Sequence, residues 1–155
     1  FYILLSSGLM QVKFKKILTF LLISANLLFV SAYIGDQKHW REDWLRAISF
    51  VDENALPNEI AIMAFPESFA PFRWYSTGIV PVYGVTDSLS QNSERTREKT
   101  ISLVNNKNGI YYFKYLSQIT DRPRIIDSSL SDTGFTKTQT HDFRGVGFVE
   151  YWSKK

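Results

Sequence analysis

The residues with the most suggestive chemistry stand close together in the chain: Phe69, Phe72, Arg73, Trp74 and Tyr75, followed by Tyr83. Aromatic faces stack against sugar rings and apolar chains, and a guanidinium grips phosphate through two parallel hydrogen bonds. Arg73, Trp74, Tyr75 and Tyr83 are therefore the candidates for binding a sugar or a lipid phosphate. They follow the end of a predicted strand, the position at which open α/β sheets place their ligands. A second role competes and carries the greater weight. Aromatic residues at helical spacing are usually core, and these would then pack the domain onto its membrane part.

No other stretch offers a reaction, and no catalytic residue is assigned. Gly145-Val-Gly147 is half of a dinucleotide fingerprint, but it precedes a strand where the motif must open a helix. There is no phosphate-binding loop, no nucleophile elbow and no His-Glu-x-x-His. His39 and His141 lack a ligand-spaced partner, so no metal is expected; His39 is read at a membrane interface and His141 in an exposed strand. Glu42 and Asp43 are adjacent, cannot share a helix face, and read as a solvated helix start near the positive end of its dipole. The chain has no cysteine, which excludes disulfides, thiolate nucleophiles and thiolate zinc sites. No cofactor is expected.

Charge excludes one class of partner. Of the net +3, all comes from Lys13, Lys15 and Lys16, because from Asp36 onward 15 basic residues (18 less 3) face 15 acidic ones. A neutral domain has no footprint for a phosphate backbone, so nucleic acid is not a partner. The chain has 155 residues, 45% hydrophobic, with 12 Phe, 8 Tyr and 4 Trp, enough for one core plus an appendage.

The appendage is the run 17–34, uncharged, with only Thr19, Ser24, Asn26 and Ser31 polar. As a helix it extends roughly 27 Å, close to the hydrocarbon thickness of a bilayer. The lipid bilayer is thus the first expected partner. Lys13, Lys15 and Lys16 lie on the short loop before it and place that loop in the cytoplasm, with the downstream domain outside. Two histories fit this segment. In one, the apolar stretch 1–9 is the tail of an earlier span, residues 1–16 close that span and its cytoplasmic loop, and the chain, which starts at Phe1, is a fragment of a multi-span protein. In the other, Met10 starts a signal peptide with Val30-Ser-Ala32 as its cleavage site. The apolar stretch favours the first, and both put the domain on the same side.

The domain, 36–155, alternates helix and strand. Trp40, Trp44, Ile48 and Val51 recur at helical spacing over 38–54, with Pro57 beyond. The apolar run 60–65 reads as a strand covered on both faces. A short helix over 68–77 ending at Gly78, a strand over 80–85, and a helix opened by Ser88-x-x-Gln91 with Ile101, Leu103 and Val104 on one face follow. Then come a strand over 110–115, a helix over 120–132 with Pro123 in its first turn, and paired strands 135–143 and 146–152 around Arg144–Gly145. The expected fold is α/β: a three-layer, mostly parallel sheet with an antiparallel C-terminal edge, preceded by one transmembrane helix.

This layout resembles a known family. The final apolar helix with Trp40 and Asp43-Trp-Leu-Arg-Ala-Ile-Ser-Phe-Val51, then Asn58-Glu-Ile-Ala-Ile-Met63, Trp74-Tyr-Ser-Thr-Gly-Ile-Val-Pro-Val-Tyr-Gly-Val85 and Phe143-Arg-Gly-Val-Gly-Phe-Val-Glu-Tyr151 look like the C-terminal part of a GT-C membrane glycosyltransferase. The relatives are of the dolichyl-phosphate-mannose–protein mannosyltransferase and aminoarabinose transferase type. The resemblance implies an enzyme of the cell (inner) membrane that moves a sugar from a polyprenyl-phosphate-linked donor to a lipid, glycan or protein acceptor. In that family the acidic catalytic residue lies on the first extracytoplasmic loop, so the resemblance assigns no catalytic residue to this chain. Glu59 matches the family's acidic position between first helix and strand, where it caps a turn. The alternative is a secreted or singly anchored binding module.

Overall fold

The computed structural model describes residues 13–36, 42–67, 70–86 and 93–154. They belong to two compact units, Phe1–Trp40 and Arg41–Lys155. The first is organised by helix α1 (Lys15–Gly35), with no buried residue and with the length and apolarity to cross a membrane. A leader sequence has the same properties. The helix takes in Lys15 and Lys16 at one end and Gly35 at the other, slightly beyond the predicted 17–34. Asn26 donates its amide to the Leu22 carbonyl at 2.8 Å, so its polar group is partly satisfied within the helix.

In the second unit the order is α2 (Trp44–Asn54), β1 (Ile60–Met63), α3 (Ala70–Tyr75), β2 (Val82–Gly84), α4 (Ser93–Val104), β3 (Gly109–Phe113), α5 (Ser117–Thr120), α6 (Ile125–Asp132), β4 (Phe135–Phe143) and β5 (Gly147–Lys154). Helix α2 begins at Trp44 because Asp43 caps it, accepting from the Arg46 N–H at 3.4 Å. It buries Trp44, Ala47, Ile48 and Val51, one stripe at helical spacing. The predicted turns at 38–41, with His39 and Trp40, lie outside the described residues, as do Phe69 and the Ser88-x-x-Gln91 box.

The five strands form one mixed sheet in the order β2-β1-β3-β5-β4. β1 pairs parallel with β2 and β3, whereas β3–β5 and β5–β4 are antiparallel. The antiparallel C-terminal edge is as expected, but the sheet is evenly divided and not mostly parallel. The tight turn after β4 sends β5 back beside it, and β5 then inserts between β4 and β3.

Alternate residues of a strand point to opposite faces, so each short apolar run feeds two cores. Ile60, Ile62, Ile110, Tyr112 and Trp152 cluster with Val104, Ile126, Leu130 and Phe135. Ala61, Met63, Tyr111, Phe113 and Val149 cluster with Phe72, Val80 and the buried stripe of α2.

Two predicted elements change. The buried stripe of α4 is Thr96, Thr100 and Val104, not Ile101, Leu103 and Val104. Threonine can lie inside because the Thr100 hydroxyl donates to the Thr96 carbonyl at 2.7 Å. The helix expected over 120–132 begins only at Ile125, as α6, and a separate short helix, α5, ends at Thr120. Asp121 takes the N–H groups of Ile125 (2.7 Å) and Ile126 (3.1 Å) on its carboxylate, so a new helix starts after Pro123 instead of running through it.

Glu59 ties the opposite end of the sheet together. It is buried, accepts the Leu56 N–H at 2.8 Å, as the turn-capping reading implies, and also accepts the Tyr151 hydroxyl at 2.5 Å. Gly109 leaves the space for it: a Cβ there would lie 2.3 Å from Glu59 Oε1. Burial and the Glu59 charge push the Tyr111 phenol up to about 12. Burial and the Glu59 hydrogen bond raise Tyr151, and burial with the Asp121 charge raises Tyr112.

A consequence for alkaline stability follows. A phenol whose pKa is raised on folding keeps a proton that the unfolded chain loses, so its stabilisation is complete below the unfolded pKa of 10.0 and is lost as pH rises beyond it. Stability is expected to be flat up to about pH 9 and then to fall, by about 1.4 kcal/mol per pH unit for each raised tyrosine. Urea unfolding as a function of pH measures the slope, and Tyr151→Phe should remove one proton from it. A flat profile through pH 11 contradicts this account.

Candidate functional site

A cleft of about 830 Å³ opens beyond the C-terminal end of β3, against the β4–β5 hairpin. Its floor is a network of charges. Lys114, the residue after β3, has its ammonium 2.9 Å from Asp127 Oδ2 and 3.5 Å from Glu150 Oε1. Lys137 reaches the same Glu150 oxygen at 3.1 Å, and the other Glu150 oxygen accepts the Trp152 indole N–H at 3.2 Å. The Glu150 side chain is only 5% exposed, so its charge depends on these partners.

Asp121 forms a second wall. Its carboxylate holds the start of α6 and accepts the Tyr112 hydroxyl at 3.5 Å. Burial raises its pKa, against the lowering effect of the Ile126 and Ile125 N–H groups. Arg122 and Arg124 stand exposed at the mouth. Leu116 and Arg124 both hold left-handed backbones, φ 53° and 56°, an uncommon conformation for such residues that often marks functional loops. The arrangement offers fixed donors and acceptors for a polar ligand and cations for an anionic one. Among the described residues no group of three or more His, Asp or Glu could hold a metal ion.

The predicted binding residues lie elsewhere. Arg73, Trp74 and Tyr75 are on α3 and Tyr83 is on edge strand β2; none of the four lines the cleft. Arg73 pairs with Glu67 at 3.5 Å, with both side chains well exposed. Trp74 is 82% exposed. Within the cluster Phe72 is core, edge-on to Phe113 at 4.8 Å between ring centroids. Arg73→Gln and Trp74→Ala are each expected to change stability by less than about 0.5 kcal/mol in urea unfolding. A larger loss would show that these side chains pack against something.

Glu42 and Asp43 are not a solvated helix start. Asp43 is buried as the cap of α2. Glu42 accepts the Tyr115 hydroxyl at 3.0 Å and the Trp44 indole N–H at 2.9 Å. Half-buried His141 packs on Phe50, with ring centroids 4.3 Å apart. The cleft had two signals in the sequence: Lys114 directly after the apolar strand, and the lone carboxylate Glu150 inside Gly147-Phe-Val-Glu-Tyr-Trp152. Comparison with protein families, with curated proteins and with solved structures finds no match to this chain.

Proposed function

We propose that the chain is the C-terminal part of an integral-membrane glycosyltransferase that moves a sugar from a polyprenyl-phosphate donor to a lipid, glycan or protein acceptor. Its α/β domain serves as a non-catalytic element on the extracytoplasmic side of the cell membrane. The observation that carries this reading is the company of α1. A helix of spanning length, uncharged beyond Lys15 and Lys16, ends seven positions before Glu42, and three of the stretches that carry the family resemblance contribute β1, β2 and β5 of a single sheet. The two core clusters, one with residues of α2 and α3 and the other with residues of α4 and α6, support a three-layer domain. Lys13, Lys15 and Lys16 support a cytoplasmic start.

Recovering the upstream reading frame tests the proposal. Eight or so further apolar spans and an acidic first loop are expected; a stop codon just before Met10 would refute it. A second reading, a secreted or singly anchored binding module, is favoured by the cleft, whose lining comes entirely from residues 112–150. Intact-mass measurement of the mature protein separates the two, since the module should begin near Tyr33.

A further inference from the structure

We infer that the cleft end of the domain docks on the anionic lipid surface of the membrane crossed by α1. The inference rests on the reading of α1 as a membrane span. Asp43 donates its backbone N–H to the Arg144 carbonyl at 2.9 Å, and Tyr115 bonds Glu42, so the domain receives its N-terminal connection beside the cleft mouth. Only six residues separate Gly35 from Glu42, seven Cα-to-Cα steps that span at most about 25 Å when fully extended.

Arg122 and Arg124 make no ion pair with a carboxylate among the described residues: of the four acids that line the cleft, three are engaged elsewhere, and the fourth, exposed Asp142, pairs with neither arginine. Asp121 holds two backbone N–H groups, and Asp127 and Glu150 hold Lys114 and Lys137. The guanidinium charge is therefore left for an external anion. The same end carries apolar surface: Leu116 is 37%, Ile119 57% and Phe148 50% exposed. Arginines beside exposed aliphatic and aromatic groups are the chemistry of an interfacial contact, with phosphates met by the cations and the apolar groups reaching toward the acyl boundary. The neutral balance of the domain makes the contact local and not a general attraction to acidic surfaces.

The chain lacks cysteine, so single labels can be placed on the full chain by Gln118→Cys, on α5 at the mouth, and Asn106→Cys, exposed at the opposite end of the sheet. The chain is reconstituted in nanodiscs of phosphatidylcholine with or without phosphatidylglycerol, with a quencher on the lipid headgroups. Quenching of the Gln118→Cys label, but not of the Asn106→Cys label, is expected in anionic discs only, weakening with salt. Arg122→Gln with Arg124→Gln should lower the docked-to-free ratio about 30-fold, from roughly fivefold per arginine. Equal quenching of both labels, quenching without anionic lipid, or no response to the double variant overturns the proposal. So does release by soluble glycerol phosphate, which would assign the arginines to a free phosphate, or label-to-label contact between copies. Carbonate extraction of the same samples separates the failures: a chain that stays in the bilayer undocked defeats docking alone, and one that washes out defeats the span.

Discussion

Gly84→Ala is expected to cost at least about 3 kcal/mol and to detach the β2 edge of the sheet. A Cβ at that position would stand 2.3 Å from the Phe65 carbonyl oxygen, 2.4 Å from the Glu67 nitrogen and 2.6 Å from the Pro66 carbonyl carbon. All three are backbone atoms, so no side-chain rotation relieves the collision. The turn after β1 would have to withdraw, and with it the bonds that Val85 and Thr86 donate to the Met63 and Phe65 carbonyls at 3.1 and 3.2 Å. Urea unfolding followed by circular dichroism measures the loss. Gly35→Ala, where nothing lies within 4 Å, is the control and should be near neutral. A Gly84→Ala protein as stable as the parent would mean that this turn does not lie against β2.

Lys114→Met is the second large effect, about 2–4 kcal/mol. Lys114 is largely buried, with 19% of its side chain exposed, between Asp127 and Glu150. Methionine keeps most of the stem but removes the charge, leaving Asp127 without this cation and Glu150 dependent on the more exposed Lys137. Breaking such a pair from one side is costly because the remaining charge stays desolvated. The double variant Lys114→Met/Glu150→Gln should recover part of the loss, and a double-mutant cycle in urea gives the coupling. Purely additive losses would show that the two side chains do not interact. Exposed Arg97 with Asp132, half-exposed on both sides, is the contrasting pair, and Arg97→Gln should cost under about 1 kcal/mol.

Gly84 sits inside a stretch that carries the family resemblance, yet nothing in Val80-Pro-Val-Tyr-Gly-Val85 says that a neighbouring turn will lie against that glycine. Lys114 and Glu150 were visible as charges beside apolar runs, but they are 36 residues apart in the sequence (150 less 114), and their pairing waits on β5 lying next to β3. The same holds for Asp121, which the sequence places inside the first turn of the expected helix and the fold places ahead of α6, with its carboxylate on the N–H groups of Ile125 and Ile126. The aromatic cluster on α3 misled in the other direction. Phe72 is core as aromatics usually are, while Trp74 projects into solvent, because one turn of helix carries both a buried and an exposed side.

What the sequence determined by itself is local. An uncharged run long enough to cross a bilayer, the confinement of the excess charge to three lysines before it, and the alternation of apolar runs with turn residues each depend on neighbours within about a dozen positions. Helix and strand periods therefore reveal them. What tertiary structure decided is non-local. The insertion of β5 between β3 and β4 divided the sheet evenly between parallel and antiparallel pairs and gathered residues 112–150 into one cleft. It also brought Glu150 to Lys114 and Lys137 while Arg122 and Arg124 stand exposed at the mouth, an arrangement no local period encodes because it joins residues far apart in the chain.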